Sequence, residues 1–361
     1  MDKNTKGKGL SRGEFLKLVT LTLTTLFVKA CAKLGVNLPT ETPDSGSVEV
    51  VSSPTTQPGD KPMTQVAFIK TDDRVQGIQQ AIDLLGINPV EGKHVFLKPN
   101  FNSADPAPGS THPDVLRTLV TKFWDMGASK ITLGDRSGMG DTRAVMEDIG
   151  VFSLADELGF EVIVFDELGA DGWELGITPD CHWELGFPVA VPPLNSNIIV
   201  QACCLKTHQY GGHFTMSLKN SVGMVAQMIP GDTYNYMTEL HSSKYQREMI
   251  AEINAVYKCG LIVMDGVEAF TKGGPATGTK VDSQVVLAAT DRIAIDAVGV
   301  AILRYYGTTA DVARGKIFEL AQIARAVELG VGVDSPEKIE IVTTDQDSEA
   351  YAEEIRAVLL S

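Results

Sequence analysis

Short apolar runs rich in Val and Ile alternate with longer segments of helical periodicity through most of this 361-residue chain. Several runs are apolar without a break, which is typical of strands buried on both faces of a parallel sheet. The eight predicted strands are residues 66–70, 94–99, 130–135, 161–166, 197–206, 260–266, 284–290 and 338–344. The segments between them are long enough for crossover helices. The sequence therefore predicts an α/β fold, with a mostly parallel sheet covered by helices on both faces.

The alternation stops at residues 170–195, which contain Trp173 and Trp183 together with Pro188, Pro192 and Pro193. We predict a hairpin or lid insertion there, within a single large α/β domain over residues 63–361. Gly residues, which commonly end helices, close four helical segments at residues 75–86, 113–127, 292–307 and 312–330. Asp296 is the odd polar residue in one of them. A buried carboxylate needs a partner, so Asp296 either binds a loop backbone or faces a site.

The N-terminal residues 1–31 have the pattern of an export signal. Six basic residues oppose only Asp2 and Glu14, and the apolar run 18–28 is too short to span a bilayer. Residues 11–17 resemble the twin-arginine export motif, with Gly13 in place of the second arginine. We therefore predict that residues 1–31 are an export signal or a lipoprotein-type signal of a bacterial protein.

Cys31 resembles the lipid-attachment cysteine of bacterial lipoproteins, with Lys29 where a small residue is usual. A cleaved soluble protein and an uncleaved anchor are the alternatives, and all three are extracytoplasmic. Residues 32–62 are rich in Pro, Ser and Thr without apolar periodicity, which indicates a flexible linker. The prediction is a body in the periplasm or on the outer face of the cytoplasmic membrane, tethered through this N-terminal anchor.

The formal charge of −15 excludes a typical nucleic-acid-binding protein, because phosphates are bound by surplus Lys and Arg. Charged and polar residues nevertheless follow the predicted strands. Ligands of open α/β sheets collect at the carboxyl ends of the strands. The candidate ligand-binding residues at these positions are Lys98, Asn100, Lys206, Asp265 and Asp291, together with Asn220.

Three lysines, Lys98, Lys206 and Lys219, predict a pocket for phosphate, carboxylate or enolate oxygens. Lys219 falls in the first turns of a helix predicted over residues 216–228, where the helix dipole disfavours a cation that has no anionic partner. The alternative is that these lysines form salt bridges with Asp135, Asp265 or Asp291. The partner predicted for this pocket is a small anionic ligand.

Two histidines, His208 and His112, are candidates for general acid or base catalysis, because His titrates near neutral pH. His208 follows a strand, and His112 precedes a predicted helix. A divalent-metal site is the alternative, with His208, His213, His241 and Asp135 as ligands, although no tight metal-ligand spacing is present. The sequence leaves the cofactor otherwise unknown.

A series of short motifs resembles the family called domain of unknown function 362, over roughly residues 66–306. The motifs are KPN (98–100), THP (111–113), GDRSG (134–138), KTH (206–208), SLKNSVG (217–223), GGP (273–275) and DRIAIDAVG (291–299). The resemblance implies a protein that is often exported and sometimes carries a ferredoxin-like cysteine cluster, without a settled reaction. This chain has five cysteines and no CxxC, so we expect no iron–sulfur cluster.

Two functions from different classes follow. The first is an enzyme on a small anionic substrate or cofactor, using His208, His112 and Lys219 for catalysis. Residues 208–220 are similar to the Gly- and Lys-containing loop of nickel-pincer lactate racemases, so proton transfer, isomerisation and metal-linked redox chemistry stay open. The alternative is a lipid-anchored protein that binds a small anion without catalysis, for transport or for a redox partner.

Overall fold

The computed structural model describes residues 63–361. The predicted signal and linker, with Cys31 and the twin-arginine-like segment, lie outside the described residues. Within residues 63–361, no helix is both long and apolar enough to cross a membrane.

Each of the eight predicted runs forms a strand. The strands are β1 Thr64–Lys70, β2 His94–Lys98, β3 Lys130–Asp135, β4 Glu161–Val164, β5 Trp173–Gly176, β6 Phe187–Ala190, β7 Ile198–His208, β8 His213–Thr215, β9 Cys259–Gly273, β10 Gly278–Val281, β11 Val285–Ala289 and β12 Ile339–Val342. Ten of these strands form one mixed sheet, whose central path runs β12-β1-β11-β9-β7-β2-β3-β4. Neighbours along this path are parallel except on both sides of β11, so the mostly parallel sheet is confirmed.

Helices cover both faces of the sheet, as predicted. Successive residues of β1 alternate between two cores: Phe68 belongs to the core that contains Ile293 and Tyr351, whereas Ile69 belongs to the core that contains Ile78 and Phe123. The helices are α1 Arg74–Leu84, α2 Pro113–Asp125, α3 Thr142–Ile149, α4 Val151–Leu158, α5 Val191–Leu194, α6 Ser217–Asn220, α7 Tyr236–Ser242, α8 Gln246–Ile253, α9 Arg292–Tyr305, α10 Ala310–Ala313, α11 Ala321–Glu328 and α12 Gln346–Leu359.

The insertion at residues 170–195 is a hairpin, as predicted. Its strands β5 and β6 pair antiparallel and form a separate two-stranded sheet. Trp183 and Phe187 of this segment are buried in a third core with α7 and α8. The hairpin therefore helps to fix α7, which closes one side of the site described below.

The prediction of one helix over residues 216–228 is wrong. Helix α6 ends at Asn220, a 3-10 turn covers Ser221–Met224, and Val225 forms a bridge to Val189 of β6. At Gly223 the backbone lies so close to the site that a β-carbon would be 2.3 Å from Asp135 Oδ1. The local pattern reads as helical, but tertiary packing at this glycine redirects the chain.

The helix predicted over residues 312–330 is also divided. In this region the chain forms three short elements: α10, a 3-10 turn at Ile317–Glu319, and α11. Gly315 separates the first two with a φ of +68°, a conformation that favours glycine. The apolar periodicity of the segment survives this break because its buried residues still face α9 and α12.

Candidate functional site

A cavity of about 590 Å³ lies at the carboxyl ends of β2, β3 and β7, where parallel strands of an open sheet present ligands. We call it the strand-end cavity. Short helix α6 and helix α7 close its other side. The residues that line it are Lys98, Asn100, Phe101, Asn102, Asp135, Arg136, Gly138, Met139, Lys206, His208, Tyr210, Thr215, Lys219, Asn220, Val222, Gly223, Gln227, Asn235, Met237, Thr238, His241, Ser242 and Pro275.

A buried ion pair forms the base of the cavity. Lys98 Nζ lies 2.7 Å from Asp135 Oδ1 and also donates to the Pro99 carbonyl and to Asn220 Oδ1. Asp135 accepts further bonds from the backbone N–H groups of Phe101 and Arg136. Burial lowers the pKa of Lys98 and raises that of Asp135, while their contact opposes both changes. For Lys98 the salt-bridge alternative is therefore correct.

Lys206 is a buried cation without a carboxylate partner within residues 63–361. Its amine donates to Asn100 Oδ1 at 2.7 Å and to the Gly109 carbonyl. The hydroxyl of Thr111 accepts from the Asn100 backbone N–H and so fixes this loop. Burial lowers the pKa of Lys206. The KPN, THP and KTH motifs thus cooperate to hold one positive charge among neutral acceptors.

Lys219 is buried, and its side-chain amine makes no hydrogen bond or ion pair with any residue of 63–361. Burial, followed by the positive charges of Lys206 and Arg136, lowers its pKa to about 7. Its helix α6 is held by Asp296, whose carboxylate accepts from the backbone N–H groups of Ser217 and Leu218 at 2.8 and 3.0 Å. Two roles were predicted for Asp296, and the structure shows the first of them, because its carboxylate binds backbone N–H groups.

His208 lies beside Lys219. Its Nδ1 is buried and has no hydrogen-bond partner in the described chain. A β-carbon on Gly212 would lie 2.8 Å from Lys219 Cε and 3.0 Å from His208 Nδ1, so the two side chains flank one point. Burial, and then the charge of Lys219, lower the pKa of His208 well below its usual value. His208 is therefore a neutral imidazole near pH 7.

His241 faces the same cavity from α7. Its Nδ1 lies 2.7 Å from the Met237 carbonyl, and burial lowers its pKa. Because the bonded Nδ1 carries the proton toward that carbonyl, the neutral ring offers Nε2 as an acceptor.

Arg136 is a site residue that the sequence analysis did not single out. It is buried, and its guanidinium donates to the carbonyls of Val225, Val222 and Ser137. The available signal was its position directly after β3. Among residues 63–361, three lysines, one arginine, two histidines and one carboxylate thus line the cavity, in a chain of net charge −15.

Four predicted site residues do not line the cavity. His112 caps helix α2, where its Nδ1 accepts from the Asp114 backbone N–H. Asp265 pairs with Arg74 at 2.8 Å. Asp291 caps α9 and accepts from the N–H groups of Ile293 and Ala294. His213, on β8 opposite His208, points elsewhere. The structure therefore separates these residues from the lysines they were predicted to join.

The predicted metal set of His208, His213, His241 and Asp135 is likewise not assembled. His213 is outside the cavity, and the Asp135 oxygens are occupied by Lys98 and backbone N–H groups. Across residues 63–361, no group of three or more His, Cys, Asp or Glu side chains is arranged to hold a metal ion. The donor set of the cavity, rich in cations, fits an anion.

The segment GGPATG forms the hairpin connection between β9 and β10. Gly274, with a φ of +74°, packs so tightly that a β-carbon would be 2.1 Å from the Thr207 carbonyl oxygen. This contact brings Pro275 to the rim of the cavity.

Comparisons with known proteins place the chain among relatives. A thylakoid-associated protein of Synechocystis is 25% identical over 218 residues, which are 59% of this chain and 64% of that protein. The lactate racemase apoprotein of Thermoanaerobacterium thermosaccharolyticum aligns with a TM-score of 0.37 and 13% identity, over 58% of this chain and 51% of that one. The family described as domain of unknown function (DUF362) matches residues 95–301. The match covers more than half of this 361-residue chain, and the chain therefore belongs to this family.

Proposed function

We propose that this protein is an enzyme that acts on a small anionic substrate in the strand-end cavity, where Lys219 and His208 move a proton. One observation carries the proposal. Lys219, whose amine makes no hydrogen bond or ion pair within residues 63–361, and His208, whose buried Nδ1 has no partner there, line the same cavity side by side. Lys219 Cε and His208 Nδ1 lie 2.8 and 3.0 Å from the position that a β-carbon on Gly212 would take.

The positive side chains supply the binding of the anion. The side chains of Lys206 and Arg136 donate only to neutral acceptors, and neither forms an ion pair within residues 63–361. The carboxylates that act on them, Asp105 on Lys206 and Asp166 and Asp135 on Arg136, do so without a direct side-chain contact. A buried charge without a counter-charge costs several kcal/mol. An anionic substrate offsets this cost because it brings the missing negative charge into the cavity.

The chemistry that fits is proton abstraction from a carbon next to a carboxylate or carbonyl group. A base is most effective when its pKa is close to the operating pH, and Lys219 meets this condition. The enolate that forms is stabilised by the fixed charges of Lys206 and Arg136. His208, as a neutral imidazole, passes the proton on or returns it, and return to the opposite face is isomerisation.

We further propose that the protein works outside the cytoplasm, attached to a membrane. The basic apolar start, Cys31 and the Pro-rich linker support this location. A relative that carries the name thylakoid-associated protein supports membrane attachment as well.

Exchange of substrate protons with solvent tests the reaction class. The full-length protein in D₂O is incubated with a panel of small 2-hydroxy and 2-oxo carboxylates, and loss of the carbon-bound proton is followed by NMR. We expect exchange in at least one of them. Lys219→Met and His208→Ala should each lower its rate by roughly 100-fold or more. Lys272→Met, which removes an exposed lysine outside the cavity, is the matched control and should leave the rate unchanged.

Two results would contradict the proposal. Binding of these anions by the wild type without any exchange would identify a binding protein without catalysis. Equal exchange by the wild type and Lys219→Met would place the base elsewhere.

A further inference from the structure

We propose that Lys219 is a covalent nucleophile that forms a Schiff base with a small oxo acid bound in the strand-end cavity. This inference rests on the proposed function and names its substrate class, an anion that also bears a ketone or aldehyde carbon. It assigns the reacting atom, Lys219 Nζ.

The three lysines of the cavity differ in the availability of their amines. Lys98 donates to two neutral acceptors and pairs with Asp135, and Lys206 donates to Asn100 and Gly109. Among the lysines that line the cavity, only Lys219 has an amine that makes no hydrogen bond or ion pair within residues 63–361. Its lone pair is therefore the one that is free to attack a carbonyl carbon.

The surroundings of Lys219 activate it in the way that nucleophilic lysines require. Burial together with neighbouring cations keeps a large part of the amine neutral near pH 7. No Asp or Glu side chain makes an ion pair with it in the part of the chain that the structure describes. A lysine held this way is a poor structural cation and a good nucleophile.

The same cations select an anionic carbonyl compound over a neutral one. Lys206 and Arg136 attract the carboxylate, and the volume of about 590 Å³ is in the range of small-molecule sites, roughly 300–1,000 Å³. The protonated imine would add another positive charge to a basic cavity. The carboxylate of the substrate compensates for that charge, so an oxo acid fits where a simple ketone does not.

The step is balanced without any oxidant or reductant. The Nζ lone pair forms the C–N bond while the carbonyl π electrons move to oxygen, which takes up a proton. Nitrogen gives up one proton in this step, and the resulting hydroxyl takes up a second proton from solvent and leaves as water. The product is the protonated imine, which carries that second proton's positive charge. His208, with its free Nδ1 beside Lys219, is placed to shuttle these protons. The imine acidifies the adjacent C–H bond. Because the Lys219 nitrogen is then part of the imine, the base that takes the proton from this carbon of an oxo acid is the neutral imidazole of His208.

Reductive trapping tests the inference. The full-length protein is incubated at pH 8 with pyruvate, glyoxylate or 2-oxoglutarate and then with sodium cyanoborohydride, and the adduct is located by peptide mass spectrometry. We expect one dominant adduct, at Lys219, from at least one oxo acid. Lys219→Arg should abolish it, while Lys272→Met should retain it in full. Circular dichroism and the melting temperature of Lys219→Arg confirm that the variant is folded.

The outcomes separate this inference from the proposed function. If the wild type catalyses proton exchange but no oxo acid is trapped at Lys219, the Schiff base is wrong and the proposed function stands. If the wild type neither exchanges protons nor forms an adduct, both are wrong. Trapping spread over exposed lysines, and unchanged in Lys219→Arg, would also overturn the inference.

Discussion

At the scale of single residues, the site depends on what surrounds each basic group rather than on the residue type. Lys98 and Lys219 are both buried at the strand ends, but Asp135 faces only the former. The groups acting on Lys219 are Lys206, Arg136 and the imidazoles of His208 and His241, none of which brings a negative charge. The two lysines therefore have different roles: one braces the cavity and the other is available for chemistry.

The lowered pKa of Lys219 predicts a pH-dependent contribution to stability. Its pKa falls from 10.5 to about 7 on folding, so between these values the unfolded chain binds the extra proton. The free energy of unfolding of the wild type should therefore rise relative to that of Lys219→Met as the pH increases from about 7 to about 10. Urea denaturation of both proteins across this range measures it. A difference that is constant with pH, or one that falls, would contradict the lowered pKa.

At the scale of elements, the helix-capping residues explain why sequence reasoning placed some residues wrongly. A residue between a strand and a helix can serve a ligand or cap the helix, and both uses favour the same polar types. His112 and Asp291 are caps, whereas Asn100 and His208 belong to the cavity. Sequence position does not separate these cases, because the choice depends on which loops the sheet order brings together.

The strands themselves were predictable, because runs such as residues 285–289 (VVLAA) are apolar on both faces. The short β8 and β10 and the end of α6 were not, since they depend on tertiary contacts. After α6, Gly223 brings the chain against Lys98 and Asp135, which are distant in sequence. Asn235 and Thr238 were missed for the same reason, because their places in the cavity follow from how α7 packs and not from any local motif. Arg136 directly follows β3, and only this position pointed to it.

The support of helix α6 by Asp296 gives a prediction at this scale. In Asp296→Asn one of the two acceptor oxygens becomes an NH₂ group facing a backbone N–H, so a buried donor loses its partner. Loss of such a bond costs about 1–3 kcal/mol, and we expect unfolding to become easier by that amount. Because Lys219 belongs to the same helix, proton exchange should fall as well. Denaturation and the exchange assay measure the two effects, and unchanged values of both would contradict the role of Asp296.

At the scale of the whole molecule, the concentration of Lys and Arg in one cavity contrasts with the net charge of −15 and requires an explanation. The chain has 46 Asp and Glu residues, and of those within residues 63–361 only Asp135 lines the cavity. General surface charge repels small anions, so their binding has to come from this local concentration of Lys and Arg. The fold achieves it by ending β2, β3 and β7 in charged residues at one edge.

The location of the whole chain gives a further prediction. Cys31→Ser should move the protein from the membrane fraction to the soluble fraction, because the residue proposed to carry the lipid is removed. The melting temperature should stay the same, since residues 63–361 contain the cores described above. Cell fractionation with immunodetection measures the partition. Membrane association that is unchanged in Cys31→Ser would contradict the lipid anchor.

The central claim is that a small anion binds in the strand-end cavity, and calorimetric titration tests it most directly. Pyruvate is titrated at pH 8 into the full-length wild type, Lys206→Met and the control Lys272→Met, in two buffers of different ionisation enthalpy. We predict that the wild type and the control bind pyruvate, and that Lys206→Met binds it at least tenfold more weakly, a loss of roughly 1.4 kcal/mol or more. We also predict that the wild type takes up protons on binding, because the anion raises the pKa of Lys219. No binding by the wild type, or equal binding by all three proteins, would contradict the account.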